Sequence, residues 1–194
     1  MANYLERLFK DAAYPFAVLS AQGRMFGATF GSVTTPLATA ATTAIAARRP
    51  MAWLRVPNGS VVVPSKINII VESAGATTQG EISIVIAQND VGDGTSTAGT
   101  VQPTPLNTSA PITSLCTTRH LSTADCTLET NPLELKRFSF AASAVNQDFS
   151  WRASEEAAPP VLRGPASLMV YIGGNAVNFF AQMEFAELLE ADAT

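Results

Sequence analysis

Apolar and polar residues alternate along most of this chain, and the clearest stretch is the last, Ala166 to Leu189. Leu168, Val170 and Ile172 alternate with Met169 and Tyr171. After a Gly173-Gly174-Asn175 corner, Val177, Phe179, Ala181, Met183 and Phe185 alternate with Asn178, Phe180, Gln182 and Glu184. A period of two marks a strand with one buried face, and Gly-Gly-Asn offers the positive φ of a tight hairpin. The same period predicts strands upstream. Met25 to Phe30 is a short one. Ala52, Leu54 and Val56 alternate with Met51, Trp53 and Arg55 up to a Pro57-Asn58-Gly59 turn. Val61 to Val63 leads into Pro64, a residue expected at a sheet edge, a bend or a strand start. Ile67, Ile69 and Val71 form the next buried row. Ile82, Ile84 and Ile86 form another, with Glu81, Ser83 and Gln88 turned outward. Leu135, Phe138 and Phe140, then Phe149 with Trp151, supply two more rows in the later half.

Between these rows the chain reads as turns and loops. Ser32 to Ala47 is rich in Thr, Ala and Ser, with β-propensity but little to bury. Asn89 to Ala110 is expected to be a long surface excursion, and Ser154 to Pro160 a break. Helical spacing occurs near the start, where Leu5, Leu8 and Phe9 predict a short amphipathic helix that Pro15 stops at Tyr14. Tyr14, Phe16, Val18 and Leu19 then continue as an extended apolar arm. Residues 1–22 are this arm, which either caps the domain's own core or packs on a neighbouring subunit, and 23–194 are one domain. The excess of strands makes that domain all-β: two sheets packed face to face, or a barrel.

Composition adds a reason to expect company. Of the 194 residues 47% are hydrophobic and 14% charged, against about 25% charged in typical soluble proteins. The polar surface is therefore built from Ser, Thr, Asn, Gln and Gly, a covering that solubilises a lone monomer poorly and favours contact with other subunits. With a net charge of -4 and no basic cluster larger than an adjacent pair such as Arg48-Arg49, the chain lacks the clustered cations that direct nucleic-acid binding requires. No apolar run approaches the roughly 20 residues that span a bilayer. Charges at Glu6, Arg7 and Lys10 interrupt the place where a signal peptide carries its apolar core, so synthesis and assembly in a cytoplasm are expected.

Candidate chemistry is sparse. Cys116, His120 and Cys126 supply at most three soft ligands, lack a C-x2-C knuckle, and would need a fourth ligand such as Asp125 to hold zinc. Two free thiols in a β-rich interior is the plainer reading, with a loop-closing disulfide the alternative in an exported protein. His120 is the one histidine, so any Ser-His-Asp or Cys-His set must use it, and in a Thr-rich loop it reads as solvated. Glu155-Glu156, or Glu184 with Glu187, could be proposed as paired carboxylates. Adjacent glutamates on a strand face opposite ways, however, and the later pair sits at a strand end where it keeps the C-terminus soluble. Asn89 to Gly94 lacks the spaced acids and closing Glu of a calcium loop and reads as a solvated turn. Phosphate-cradling glycine motifs are absent from the sequence. The expectation is a protein that is not an enzyme and needs no cofactor or metal.

Three segments carry a resemblance: Gly27 to Pro36, Val56-Pro57-Asn58-Gly59-Ser60-Val61-Val62-Val63-Pro64, and Leu162-Arg163-Gly164-Pro165-Ala166-Ser167-Leu168-Met169-Val170 before a final aromatic strand. Their pattern, over residues 24 to 188, resembles head decoration (cement) proteins of tailed bacteriophages. The resemblance implies a jelly-roll-like antiparallel β-sandwich that forms homotrimers on the outer surface of an icosahedral shell. Such trimers clamp neighbouring major capsid protein subunits in the virion. The helical N-terminal arm, Tyr4 to Leu19, departs from small cement proteins. On this reading Leu5, Leu8, Phe9, Tyr14, Phe16 and Trp53 are the candidate interface anchors, Phe16 and Trp53 having core filling as their alternative. Thr34 to Ala46 would suit flat subunit packing. A rival of another class is a carbohydrate- or receptor-binding β-sandwich of a phage fibre or head appendage, which would gather Asn146, Gln147, Phe149 and Trp151 on one loop surface.

Overall fold

In the computed structural model, residues 15–32, 34–39, 49–75, 80–92, 101–109, 112–122, 125–127, 132–153, 159–173 and 177–193 are described. Their strands are β1 (Met25–Phe30), β2 (Leu37–Ala38), β3 (Ala52–Val56), β4 (Ser60–Ser73), β5 (Gly80–Ala87), β6 (Thr104–Pro105), β7 (Thr117–His120), β8 (Leu133–Phe140), β9 (Val145–Arg152), β10 (Leu162–Arg163), β11 (Ala166–Gly173) and β12 (Asn178–Leu189). Two short helices, α1 (Pro15–Ala21) and α2 (Glu190–Ala193), flank them.

The pairings form a 7-stranded and a 5-stranded sheet. In the first, β4 and β12 lie at the centre; β9 and β10 share the far side of β4, and β1 and β2 share the far side of β12, with β6 beyond β1. The second runs β7-β3-β11-β5-β8. Four antiparallel pairs nest from the chain's ends inward: β1 with β12, β3 with β11, β4 with β9, and β5 with β8. Contacts of β12 with β4 and of β11 with β5 fold this ladder into the rows β1-β12-β4-β9 and β3-β11-β5-β8. That wrap is the eight-stranded jelly roll, so the all-β sandwich expectation holds. Within Asn89 to Ala110, expected to be a surface excursion, Thr104–Pro105 join one sheet as β6, and beyond it Thr117–His120 join the other as β7. Backbone pairing at Thr104–Pro105 needs only a free edge on β1, not an apolar side chain.

The alternating rows predicted from sequence meet between the sheets, with Phe30, Leu54, Ile69, Ile84, Val170 and Phe185 among the buried members. A second cluster lies on the other face of the 5-stranded sheet, where Trp53, Val85, Met169 and Tyr171 are covered by Val91 and Cys126. Ser83, expected to face outward, is consequently buried, as are Val85 and Ala87. The covering turn is tied down through Ser167, whose Oγ donates to Asn89 O at 3.0 Å and accepts from Val91 N at 3.2 Å.

Two local departures have physical reasons. Pro64 lies inside the 14-residue β4, in the interval between the stretch paired with β10 and the stretch paired with β9. On the β12 side the register shifts there, leaving Ser65 unmatched between Pro64 and Lys66. A bulge at a locally free edge is where a strand tolerates a residue without an N–H. At the N-terminus the expected extended arm is instead helix from Pro15 onward. Proline's fixed φ and missing donor suit the first helical position, so Pro15 starts this helix; the short helix expected before Pro15 lies outside the described residues.

Candidate functional site

Because successive strands run in opposite directions, the connections sort to two ends. One end holds the β1–β3, β4–β5, β8–β9 and β11–β12 links. The other gathers both helices, the β3–β4 turn, the long β5–β8 segment and the β9–β11 segment. The second, loop-rich end is held by polar fasteners. Glu187, buried on β12, accepts from Ser114 Oγ at 2.5 Å, Leu115 N at 3.0 Å and Ser60 Oγ at 3.4 Å, anchoring the strand-free stretch before β7. Asn107 Nδ2 donates to Ser20 O at 3.1 Å, tying the turn after β6 to α1. Arg24–Asp192 at 3.2 Å and Arg163–Glu190 at 3.7 Å hold α2. Leu19 on α1 packs in a satellite cluster with Met25, Val61, Val63 and Leu188.

Beside these exposed ion pairs, this end shows aliphatic side chains to solvent. Val18, Leu106, Ile112, Leu115, Val161 and Leu189 are exposed there, and Leu133 opens β8 at the same end, whereas Val145 lies at the other. Leu115 is 54% and Leu106 47% exposed although each sits beside a fixed backbone contact, to Glu187 and to Met25 respectively. Held aliphatic groups of this kind are candidate protein-contact positions, because the backbone that presents them is already ordered. As isolated apolar letters in a Thr- and Pro-rich run they have no periodicity, so sequence reading passed over them.

The anchors expected from sequence are distributed differently. Leu5, Leu8, Phe9 and Tyr14 lie outside the described residues. Phe16 is half-buried against the α1 cluster of its own chain. Trp53 is fully buried, its indole N–H donating to Gly92 O at 3.4 Å, and fills the outer cluster of the 5-stranded sheet rather than standing at the surface. Its strand position promised one buried face, but the turn after β5 covers the other. Of Thr34 to Ala46, Leu37–Ala38 form β2, while residues 40–46 lie outside the described set.

The candidate chemical groups are also dispersed. Cys116 is buried in the main core and Cys126 in the outer cluster, both as free thiols. Burial pushes both thiols up, and the nearby Glu187 charge adds to the effect at Cys116. His120 stands on β7 rather than in a solvated loop. Its ring is edge-on to Phe30 at 6.3 Å, its Nδ1 is buried without a hydrogen-bond partner among the described residues, and burial lowers its pKa. Glu184 faces Lys66 at 3.6 Å, and Glu187 is an internal fastener rather than a solubilising surface charge. Glu155 and Glu156 lie outside the described residues. Asp90 is held by Arg55, Nε to Oδ1 at 2.7 Å, and accepts from Gly92 N at 2.9 Å; the Arg55 bond keeps its carboxyl below the usual range. Among the described residues no three His, Cys, Asp or Glu side chains converge as a metal site. Asn146, Gln147, Phe149 and Trp151 lie along one strand, β9, with both aromatics packed against the main core. They do not form a loop surface.

Comparison with family models, with curated proteins and with solved structures returned no match.

Proposed function

We propose that this chain is a structural virion protein whose homo-oligomer decorates an icosahedral phage shell and bridges its major capsid protein subunits from outside. The observation that carries this reading is the loop-rich end, where Val18, Leu106, Ile112, Leu115, Val161 and Leu189 stay exposed, Leu106 and Leu115 beside fixed backbone contacts. The jelly roll supports it as a wrap that shell proteins use, although the fold alone assigns no function. Mechanically, the rigid sandwich presents one adhesive end, and oligomerisation repeats that end. Each further contact with the shell then gains effective concentration, so modest interfaces dissociate slowly together. With 14% of all residues charged, the chain has few charges to desolvate when its surface is covered. Assembly takes place in the host cytoplasm.

The test has two readings. Sedimentation velocity gives the oligomer mass, and co-sedimentation with empty shells of the parent phage gives binding. Wild type is expected to be oligomeric and to pellet with shells. A Leu106→Asp/Leu115→Asp variant is expected to keep its thermal transition and lose the shells. A stable monomer that leaves shells in the supernatant rejects the proposal.

A further inference from the structure

An open sheet edge is a row of free N–H and C=O groups, and proteins usually guard it with bulges, charges or proline. On one flank of this sandwich two edges lie side by side: β8 of the 5-stranded sheet and β9 of the 7-stranded sheet. The first is guarded. Its register with β5 slips between Ile84 and Val85, leaving Leu135 unmatched, and Arg137 is clamped on its face by Glu134 at 2.7 Å and Glu81 at 3.0 Å. The second is not. Pairing of β9 with β4 runs in unbroken register from Lys66↔Arg152 to Ser73↔Val145, β9 has neither proline nor lysine, and no described strand takes its other edge.

We propose that β9 is the site where a second copy of this chain adds, β9 against β9, antiparallel about a two-fold axis through Ser150. The strand is self-complementary in that register. Asp148 of one copy stands opposite Arg152 of the other, twice over, on the face carrying Ser150; Phe149 stands opposite Trp151, twice, on the face turned to the core. Asp148 and Arg152 are exposed and neither has an ion-pair partner among the described residues. Arg152 instead lies across from Lys66, a like charge already held at Glu184. Cross-strand opposite charges and aromatic pairs are the contacts that stabilise antiparallel neighbours. Phe149 already packs on Phe138 at 5.5 Å, so pairing extends an existing aromatic cluster across the seam. Moving the axis to Phe149 or Trp151 sets Asp148 or Arg152 against Ser150 and loses both charge pairs. Such an isologous contact closes on itself at two copies.

The seam runs along the flank, apart from the loop-rich end, so it can fail while the chain still pellets with shells, and that co-sedimentation separates its failure from failure of the virion reading. Sedimentation equilibrium of the full chain is expected to show a dimer. Asp148→Arg and Arg152→Asp alone are each expected to weaken it at least about tenfold. The double swap, Asp148→Arg/Arg152→Asp, restores it and shows that the single variants fail by charge rather than by misfolding. Ser150→Cys is expected to cross-link to itself on oxidation, while Ser139→Cys on β8 does not; Cys116 and Cys126 are buried. A wild-type monomer, single variants that still associate, a double swap that does not recover, or a dimer in which Ser150→Cys fails to cross-link each overturns the proposal.

Discussion

Single side chains here are set by what covers them, and Glu187 is the sharpest case. A carboxylate on the last turns of an alternating strand would ordinarily face solvent, yet Ser114, Leu115 and Ser60 all donate to it in the interior. Hydrogen bonds to a charged acceptor each contribute about 1.5–3 kcal/mol, so Glu187→Ala is expected to destabilise by about 3 kcal/mol in urea unfolding. Glu187→Gln, which keeps an acceptor oxygen, is expected to cost about 1 kcal/mol; equal costs would mean that packing and not acceptance matters. His120 gives a pH dependence of definite sign. Burial holds its folded pKa below the ordinary value near 6.5. As pH falls through that value the unfolded chain takes up a proton that the folded chain resists, so stability present at neutral pH is lost progressively. The urea midpoint of wild type is expected to drop between about pH 7 and pH 5.5, and His120→Phe is expected to flatten that interval. Neither role was visible in the letters. A lone Glu or His reports its residue type, while burial depends on Ser114 and Phe30, which the fold brings from 73 and 90 positions away.

At the scale of elements, the corner joining the two sheets at the loop-rich end is closely packed. Gly164 donates its N–H to Ser60 O at 2.9 Å, and a Cβ there would lie 1.8 Å from Pro57 O, a backbone atom that cannot swing away. Gly164→Ala is therefore expected to cost about 3 kcal/mol. Gly59 has open space around it and φ of +81°, so Gly59→Ala carries only the left-handed strain of about 1 kcal/mol. Paired unfolding curves separate the two, and reversal of their order would refute the packing account. The Pro57-Asn58-Gly59 and Leu162-Arg163-Gly164-Pro165 segments, noted in sequence as separate motifs, are thus two halves of one corner. Leu19, buried where α1 meets the strands, is expected to lose about 3 kcal/mol as Leu19→Ala. Strands were legible wherever one face alone is buried: the rows Ile67-Ile69-Val71 and Val177 to Phe185 lie inside as the period of two requires. They were less legible where the turn after β5 covers the outer face of the 5-stranded sheet, so Ser83 was expected outside and Trp53 was left open between interface and core. The helix at Pro15–Ala21 was missed because proline ends one helix pattern and begins another with the same letter.

At the scale of the whole molecule, the jelly roll imposes an order of events. Its outermost pair joins Met25 to Ala186, and the next joins Ala52 to Val170; only the innermost pairs are closer in sequence. Closing long loops costs entropy before the contacts they allow can form, so chains dominated by distant antiparallel pairs fold slowly. The two sheets also depend on each other, because β12 and β11 enter last in the chain yet sit at the sheet centres. Neither sheet can be completed until the final hairpin arrives, and partial structures leave apolar strands such as β4 with one side open. The chain is therefore expected to refold in milliseconds to seconds rather than microseconds. Trp53, enclosed only when the turn after β5 settles over β3 and β11, reports the late step. Stopped-flow refolding followed by tryptophan emission in a Trp151→Phe variant isolates that signal. A microsecond burst that recovers the full emission of buried Trp53 would show that the outer cluster forms locally, ahead of the wrap.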